Sequence, residues 1–215
     1  MLATELVASL RSRFLGKLEA RVLIVGLDGS GKSTILHRLK YGVVDPTAVI
    51  STIGYNCECF EYRKMVLSCW DVGGALDARA LWRLYYKGTQ AVIFVVDSRD
   101  ESRLDIARED LHRMLTEQDL WDSPLLVLAN KQDLPYALSV REITERLQLS
   151  RLVNRSWYIV GTSATHTHME ESNLHAGVDW LVETLSEPVA TRQEKAMSST
   201  STSTRSRRTS ARVAS

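Results

Sequence analysis

A glycine-rich turn that ends in a lysine and a serine is the first stretch whose residue types and spacing indicate chemistry. Residues 26–33 read GLDGSGKS, and they lie between the apolar run 22–25 and a helix-like stretch from residue 34. Glycines let the backbone wrap so that successive N–H groups and a helix N-terminus point at phosphate oxygens. Lys32 adds a positive charge, and the Ser33 hydroxyl is suited to Mg²⁺. The predicted ligand contacts in this turn are Asp28, Gly29, Ser30, Gly31, Lys32, Ser33 and Thr34.

An aspartate and a glycine pair follow a second apolar run, at residues 65–70. Asp71 is placed to hold Mg²⁺ through a water molecule, and the N–H of Gly74 is placed to meet a terminal phosphate. Thr52 lies in an earlier polar loop, where its hydroxyl can complete the metal shell. Short Asp/Gly turns and single loop threonines are common, so each signal is weak alone. Together with the glycine-rich turn, they predict a Mg²⁺ site made of Ser33, Thr52 and Asp71.

Residues 130–133 read NKQD and directly follow the apolar run 125–129. Their side chains are suited to distinguish between nucleotide bases. The Asp133 carboxylate can accept hydrogen bonds from both N1–H and the exocyclic amine of guanine, two donors that adenine does not offer. Asn130 can brace the loop, and the stem of Lys131 can cover the face of the base. An unpaired Asp133 would make adenine a poor ligand.

A short polar loop after the last apolar run contains Ser163 and Ala164. The Ala164 N–H is placed to donate to O6 of guanine. Four polar loops after four strand-like runs predict GTP and GDP, with Mg²⁺, as the ligands. They oppose the alternative of a P-loop ATPase or nucleotide kinase.

Six strand-length apolar runs alternate with helix-period stretches from residue 20 onward. The runs are 22–25, 58–62, 65–70, 91–96, 125–129 and 157–160, and the helical stretches lie near 32–41, 78–87, 99–118, 139–149 and 175–186. This alternation predicts an α/β fold with a six-stranded, mostly parallel sheet, helices on both faces, and one hairpin at 62–65. Ligands of such folds bind beyond the carboxyl ends of the strands, where the polar loops begin.

The composition favours one core over two domains. The chain has 215 residues, 44% of them hydrophobic, and its longest apolar runs have the length of strands rather than of a membrane-spanning helix. Cys57, Cys59 and Cys69 show no framework of paired spacing, so we expect reduced thiols in a reducing compartment. Cys57 and Cys59 would share a strand face, but two thiols without further ligands do not favour a metal site.

The two ends of the chain differ in character from the middle. Residues 1–17 have the apolar stripe of an amphipathic helix, which can pack on the domain or lie on a membrane surface. Residues 18–187 form the predicted domain, and residues 188–215 form a predicted disordered tail rich in Ser, Thr and Arg. From residue 187 onward there are six basic and two acidic residues, so the preceding chain carries a net charge of −3 and the whole chain +1.

Several longer motifs resemble the Arf and Arf-like (Arl) small GTPases, from about residue 15 to 186. They are 26–33 (GLDGSGKS), 52–56 (TIGYN), 70–74 (WDVGG), 81–85 (LWRLY), 93–98 (IFVVDS) and 130–135 (NKQDLP). The resemblance implies a Ras-like P-loop GTPase fold, with switch regions at 45–57 and 71–86 and a hairpin between them that shifts register on nucleotide exchange. It also implies that Tyr55, Trp70 and Tyr85 bind effectors, whereas pattern alone places Trp70 and Tyr85 in the core.

Ala75 stands where the family usually carries the glutamine that orients the attacking water. An alanine methyl neither donates nor accepts a hydrogen bond, so we expect slow intrinsic GTP hydrolysis. In one alternative, Asp77 or Arg79 substitutes for the missing group. The resemblance thus implies an Arf-like GTP/GDP switch that recruits effectors in membrane traffic, and the alternative function is a non-hydrolysing GTP-binding scaffold.

The resemblance also implies partners and a location. We expect effectors, a guanine nucleotide exchange factor and, where hydrolysis is stimulated, a GTPase-activating protein, but no nucleic acid. Leu2 replaces the glycine that accepts myristate in many relatives, and residues 212–215 lack a cysteine box, so membrane contact rests on the N-terminal helix and is reversible. The expected location is cytoplasmic, peripheral on Golgi or endosomal membranes. His166, His168 and His175, in or beside a lengthened loop, match no common metal spacing.

Overall fold

The computed structural model describes residues 18–43, 54–165 and 173–197. The predicted N-terminal helix, Thr52, His166, His168 and the predicted tail after residue 197 lie outside these residues. All six predicted strands lie within them.

Among the described residues, a six-stranded sheet forms the centre of the domain. Its strands are β1 (Leu18–Val25), β2 (Tyr55–Tyr62), β3 (Met65–Val72), β4 (Ala91–Asp97), β5 (Leu125–Asn130) and β6 (Trp157–Gly161). Their order is β2-β3-β1-β4-β5-β6, and every neighbouring pair is parallel except β2 and β3. The antiparallel pair is the predicted hairpin, in which Tyr62 is opposite Met65. The predicted six-stranded, mostly parallel sheet is therefore confirmed.

Helices and short 3₁₀ turns connect the strands. The helices are α1 (Lys32–Tyr41), α2 (Leu76–Arg79), α3 (Leu104–Leu115), α4 (Val140–Arg146) and α5 (Leu174–Ser186), and the 3₁₀ turns are Trp82–Tyr85, Glu101–Arg103, Gln118–Leu120 and Leu149–Arg151. The prediction of one continuous helix at 78–87 is wrong, because α2 ends at Arg79 and a 3₁₀ turn follows. That turn places Trp82 in the core, where its indole N–H donates to the carbonyl oxygen of Gly73 at 2.9 Å.

The apolar residues of the sheet divide into two cores, one on each face. In β1, Leu23 belongs to the core that includes Leu111 of α3, whereas its neighbour Ile24 belongs to the core that includes Leu181 of α5. Successive residues of a strand point to opposite faces, so a strand covered on both faces must be apolar almost throughout. This accounts for the continuous apolar runs of β4 and β5 and confirms helices on both faces.

A further helix, which we call α6, follows α5 at residues 189–197. It lies within the stretch predicted to be a disordered tail, so that prediction is wrong for these residues. Its sequence, VATRQEKAM, contains several strong helix formers and precedes the Ser/Thr run that begins at residue 198. Gln193 attaches α6 to the domain by donating to Asp122 at 2.5 Å, and Ala196 is buried. Within the described part of the chain, the helices are too short or too polar to cross a membrane.

Candidate nucleotide site

The polar loops that are predicted to bind nucleotide meet at one end of the sheet. β1 ends at Val25, β3 at Val72, β5 at Asn130 and β6 at Gly161, and one of these loops follows each strand. Because these strands run parallel within the sheet, their carboxyl ends share one edge. The structure thereby brings together the described residues of the predicted nucleotide site.

The glycine-rich turn has the backbone shape that phosphate binding requires. Gly31 has φ +95°, and a Cβ there would lie 2.4 Å from Nδ2 of Asn130. Gly26 has φ +144° and tolerates no side chain either. Directly after the turn, α1 begins at Lys32 without a side-chain cap, and Thr34 lies in its first turn. An uncapped helix N-terminus beside a glycine-rich turn fits a phosphate group.

Lys32 is placed to supply positive charge to that phosphate. It is buried, and its ammonium donates to the carbonyl oxygens of Gly26 at 3.1 Å and Leu27 at 3.0 Å. Burial lowers the pKa of Lys32, while the carboxylates of Asp71 and Asp28 act in the opposite direction. A phosphate beside the ammonium would further favour the charged form of the lysine.

Ser33 and Asp71, two residues of the predicted Mg²⁺ site, lie in direct contact. The Ser33 hydroxyl donates to Oδ2 of Asp71 at 2.5 Å, and Asp71 is fully buried. Oxygen ligands of this kind suit a hard cation, so the pair fits Mg²⁺. When bound with GTP, Mg²⁺ neutralises charge on the β- and γ-phosphates. The third predicted ligand, Thr52, lies outside the described residues.

Gly74 holds the loop after β3 against the glycine-rich turn. The backbone N–H of Asp28 donates to the carbonyl oxygen of Gly74 at 3.1 Å. A Cβ at Gly74 would lie 2.3 Å from the carbonyl oxygen of Gly26, so only glycine permits this approach. The Gly74 N–H therefore lies in a loop that packs on the glycine-rich turn, and its contact with a terminal phosphate stays a prediction.

Asn130 joins three loops of the site through one buried amide. Its Nδ2 donates to the carbonyl oxygen of Ser30 at 2.9 Å. Its Oδ1 accepts from the Ala164 N–H at 3.1 Å and from the Thr162 hydroxyl at 3.3 Å. This is the bracing role predicted for Asn130, although it extends further than one loop. The Ala164 N–H was expected to face guanine O6, but in this structure it donates to Asn130 instead.

Asp133 is oriented by the loop after β6. The Ser163 hydroxyl donates to Oδ1 of the exposed Asp133 at 2.5 Å. This contact brings together the two residues predicted near the base. Lys131, at φ +67°, makes an ion pair with Asp97 through Nζ and Oδ2 at 2.6 Å. That pair fixes the Lys131 side chain whose stem is predicted to cover the base.

Sequence reasoning missed three residues that support the site. Asp97 holds Lys131, and Trp82 holds Gly73, as described above. Arg103 binds the glycine-rich turn, donating to Oδ1 of Asp28 at 2.9 Å and to its carbonyl oxygen at 3.2 Å. Asp97 lies inside residues 93–98, one of the motifs that carry the family resemblance. That motif was the one signal in the sequence that pointed to Asp97. No local pattern links Arg103 with Asp28, because 75 positions separate them.

The environment of Ala75 bears on hydrolysis. Ala75 is exposed at the start of α2. Arg79, one candidate to replace the usual glutamine, makes a buried ion pair with Asp110 of α3. Its guanidinium is therefore held by α3. Asp77, the other candidate, is exposed and stays an open alternative.

Tyr55, Trp70 and Tyr85 form one aromatic cluster. The ring centroids of Tyr55 and Trp70 are 5.4 Å apart and stacked, and Tyr85 lies 5.4 Å from Tyr55 and 5.9 Å from Trp70. The Arg21 guanidinium lies 4.2 Å from the centre of the Trp70 ring. Tyr55 is 54% exposed, whereas Trp70 and Tyr85 are half-buried and also pack against the core. Trp70 and Tyr85 therefore contact the core, as the sequence pattern predicts, and also belong to the aromatic cluster that the resemblance assigns to effectors.

Similarity to known proteins agrees with this geometry. Residues 6–185 match the model of the ADP-ribosylation factor family. The chain belongs to the ADP-ribosylation factor family. This Arf-family chain is also similar to a solved structure of the Arl6 BBS3 small GTPase from Trypanosoma brucei with the bound nucleotide analogue GppNp. Sequence identity is 34% and the TM-score 0.70, with coverage of 78% of this chain and 98% of that chain.

Family membership gives the site its ligand class. The resemblance to Arf and Arf-like GTPases and the Ras-like P-loop fold are confirmed. The converged loops of this Arf-family chain therefore form a guanine nucleotide site. The individual contacts assigned to phosphate, base and Mg²⁺ stay predictions.

Proposed function

We propose that this Arf-family protein is a GTP/GDP switch that recruits effectors in membrane traffic and hydrolyses GTP slowly. The observation that carries the proposal lies on β3. Trp70 belongs to the aromatic cluster, and its neighbour Asp71 contacts Ser33 in the nucleotide site. A change at the phosphates thus acts on the strand that carries the proposed effector surface.

The loop after β3 links the phosphate end of the site to α2 and the 3₁₀ turn that follows it. The Trp82 indole donates to Gly73, and Gly74 packs on the glycine-rich turn. Trp82 belongs to the same 3₁₀ turn as Tyr85 of the aromatic cluster. Contact between Gly74 and a terminal phosphate would therefore favour the arrangement of Tyr55, Trp70 and Tyr85 seen here.

Slow hydrolysis follows from Ala75 together with the position of Arg79. The alanine offers no group to orient water, and the buried ion pair with Asp110 occupies Arg79. Single-turnover hydrolysis by the wild type and by Ala75→Gln tests this. We expect the variant to be faster by at least about tenfold. Equal rates would contradict the proposal.

Partners and location complete the proposal. An exchange factor and effectors act on the switch, and a GTPase-activating protein must supply a water-positioning group as well as an arginine. Residues 1–17 provide reversible contact with a membrane surface, and the protein is cytoplasmic and peripheral on Golgi or endosomal membranes. Flotation of GTP-loaded protein with anionic liposomes, compared with a Leu6 and Phe14 double substitution to Ser, tests the membrane contact. Equal cofractionation of the wild type and the double variant with the liposomes would contradict membrane contact through this helix.

A non-hydrolysing GTP-binding scaffold is the second candidate, and Ala75 is the observation that favours it. Chromatography of the nucleotide retained after purification separates the candidates. Bound GDP supports a cycling switch. Bound GTP that persists through a single-turnover assay supports the scaffold. A retained adenine nucleotide would contradict both.

A further inference from the structure

Two cysteines lie side by side on the face of the sheet that carries Trp70, outside the nucleotide site. Cys57 and Cys59 are two positions apart in β2, so their side chains point to the same face. In the antiparallel register, Cys57 is opposite Trp70 and Cys59 is opposite Ser68. The Cys59 sulfur lies 3.3 Å from the Ser68 hydroxyl oxygen.

Both thiols are accessible to small reagents. Cys57 is exposed and Cys59 is half-buried, whereas Cys69 is buried in the core on the other face. Within the described part of the chain, β2 is an edge strand that pairs only with β3. Among the same residues, no third His, Cys, Asp or Glu completes a metal site with the pair. Its chemistry is therefore that of a dithiol rather than of a closed zinc site.

The two thiols are not equivalent. The neighbouring thiol has the largest effect on each group: it lowers the pKa of Cys59 to about 6 against the opposing effects of burial, Glu19 and Glu58, and it raises the pKa of Cys57. Cys59 is therefore the nucleophile of the pair, and Cys57 is its partner.

We propose that Cys57 and Cys59 form an oxidisable dithiol, which a peroxide converts into a disulfide within β2. First, the Cys59 thiolate attacks one peroxide oxygen and the O–O bond breaks, so Cys59 becomes a sulfenic acid, and the departing hydroxide takes up the proton that Cys59 had released and becomes water. Next, the Cys57 sulfur attacks the Cys59 sulfur, and the S–O bond breaks. The departing hydroxide takes the Cys57 proton and leaves as water. In sum, two thiols and one hydrogen peroxide give one disulfide and two waters.

The strand spacing makes this disulfide strained and easily reduced. Residues i and i+2 of a strand are about 6.6–6.8 Å apart. Disulfides most often join Cα atoms about 5.5–6 Å apart, so closure requires β2 to bend. An edge strand has one neighbour to oppose that bend. Strained, exposed disulfides are the readily reduced ones, so the modification is reversible.

Closure of the disulfide would change the aromatic cluster. Tyr55 lies two positions from Cys57 on the same face of β2, and it stacks on Trp70. A bend at Cys57 displaces Tyr55 relative to Trp70, which belongs to β3. Oxidation thereby weakens the proposed effector surface. This consequence rests on the proposed function, whereas formation of the disulfide does not.

Peptide mass spectrometry of the folded protein after hydrogen peroxide treatment tests the proposal. We expect the peptide that contains Cys57 and Cys59 to lose two hydrogens and to regain them with reduced glutathione. In Cys57→Ser, Cys59 should instead stop at a sulfenic acid that dimedone traps. Cys59→Ser should slow oxidation of this peptide by roughly tenfold. Buried Cys69 is the internal control, and it should stay reduced until the protein is unfolded.

Two outcomes would overturn the disulfide. One is a wild-type peptide that keeps both hydrogens at a peroxide dose that forms the dimedone adduct in Cys57→Ser. The other is equal oxidation rates in wild type and Cys59→Ser. Tryptophan fluorescence during oxidation, with Trp70→Phe as the control, decides the effect on the aromatic cluster. An unchanged signal after complete disulfide formation would overturn that effect alone, and bound guanine nucleotide measured in parallel reports separately on the switch.

Discussion

At the residue scale, buried side chains that contact more than one loop stabilise the nucleotide site. Asn130 is the clearest case, because its amide satisfies a carbonyl oxygen of the glycine-rich turn and a backbone N–H of the loop after β6. Removal of such an amide leaves buried polar groups without partners, which costs more than the hydrogen bonds contribute. Arg103 and Lys131 act similarly at the more exposed rim.

Asn130→Ala should destabilise the protein and speed nucleotide release. The carbonyl oxygen of Ser30 and the N–H of Ala164 would lose their side-chain partner, so we expect a loss of about 2–4 kcal/mol in the free energy of unfolding. Urea unfolding and the dissociation rate of a fluorescent GDP analogue measure the two effects. The exposed Asp119→Ala, far from the site, is the control. A variant at Asn130 that behaves like this control would contradict the bracing role.

Alkylation of Cys59 should show an unusual pH dependence. The neighbouring Cys57 thiol lowers the pKa of Cys59 to about 6, so the thiolate and its reaction with iodoacetamide should be half-maximal near that pH. The charges nearby are Glu19 and Glu58, which oppose the shift, and Arg21. Cys57→Ser removes that thiol and should move the midpoint upward. Peptide-resolved alkylation between pH 5 and 9 is the measurement, and an unmoved midpoint would contradict the assignment.

At the scale of elements, the position of α2 depends on contacts with α3 that no local sequence pattern predicts. The ion pair of Arg79 with Asp110 is nearly buried, with 12% and 5% of the two side chains exposed. Arg113 also pairs with Asp110, but it is 70% exposed. The α2 segment and Tyr85 belong to the predicted second switch, so this ion pair holds a proposed mobile element in one position.

Asp110→Ala should destabilise the protein more than Arg79→Ala. Loss of Asp110 leaves the Arg79 guanidinium buried without its counter-charge, which we expect to cost about 3 kcal/mol. Loss of Arg79 leaves Asp110 paired with Arg113, so we expect about 1–2 kcal/mol. Urea unfolding compares them, with the exposed Arg113→Ala, at about 0.5 kcal/mol, as the control. The reverse order of the first two variants would contradict a buried pair centred on Asp110.

For the whole molecule, nucleotide binding and folding are coupled because the site is assembled from the loops of four strands. A ligand that binds only the folded protein, at 100 times its Kd, adds about 2.7 kcal/mol to stability. For a domain of this size, that corresponds to a rise in Tm of about 5–10 °C. A site with Asp133 beside the base should give this rise with GTP or GDP and not with ATP.

Thermal unfolding with equal concentrations of GTP, GDP and ATP measures this selectivity. Removal of Mg²⁺ with EDTA should reduce the rise with GTP, because Ser33 and Asp71 are placed to hold the cation that neutralises the phosphates. Asp133→Ala should lose selectivity for guanine while it keeps the fold, since Asp133 is exposed. An equal rise with ATP in the wild type would contradict the base assignment.

Local chain chemistry by itself determined much of this protein. Alternating apolar runs specify the parallel sheet because both faces of each inner strand must be buried. The motifs of residues 26–33 and 130–133 indicate the ligand because their backbone shape and their hydrogen-bonding groups are local. The predicted boundary between the domain and the tail was misplaced, because the helix-forming residues of α6 lie next to the Ser/Thr run. Only the tertiary structure decided which distant side chains meet. Arg103 with Asp28 and Arg79 with Asp110 are contacts between different elements, and their spacing along the chain carries no periodic signal.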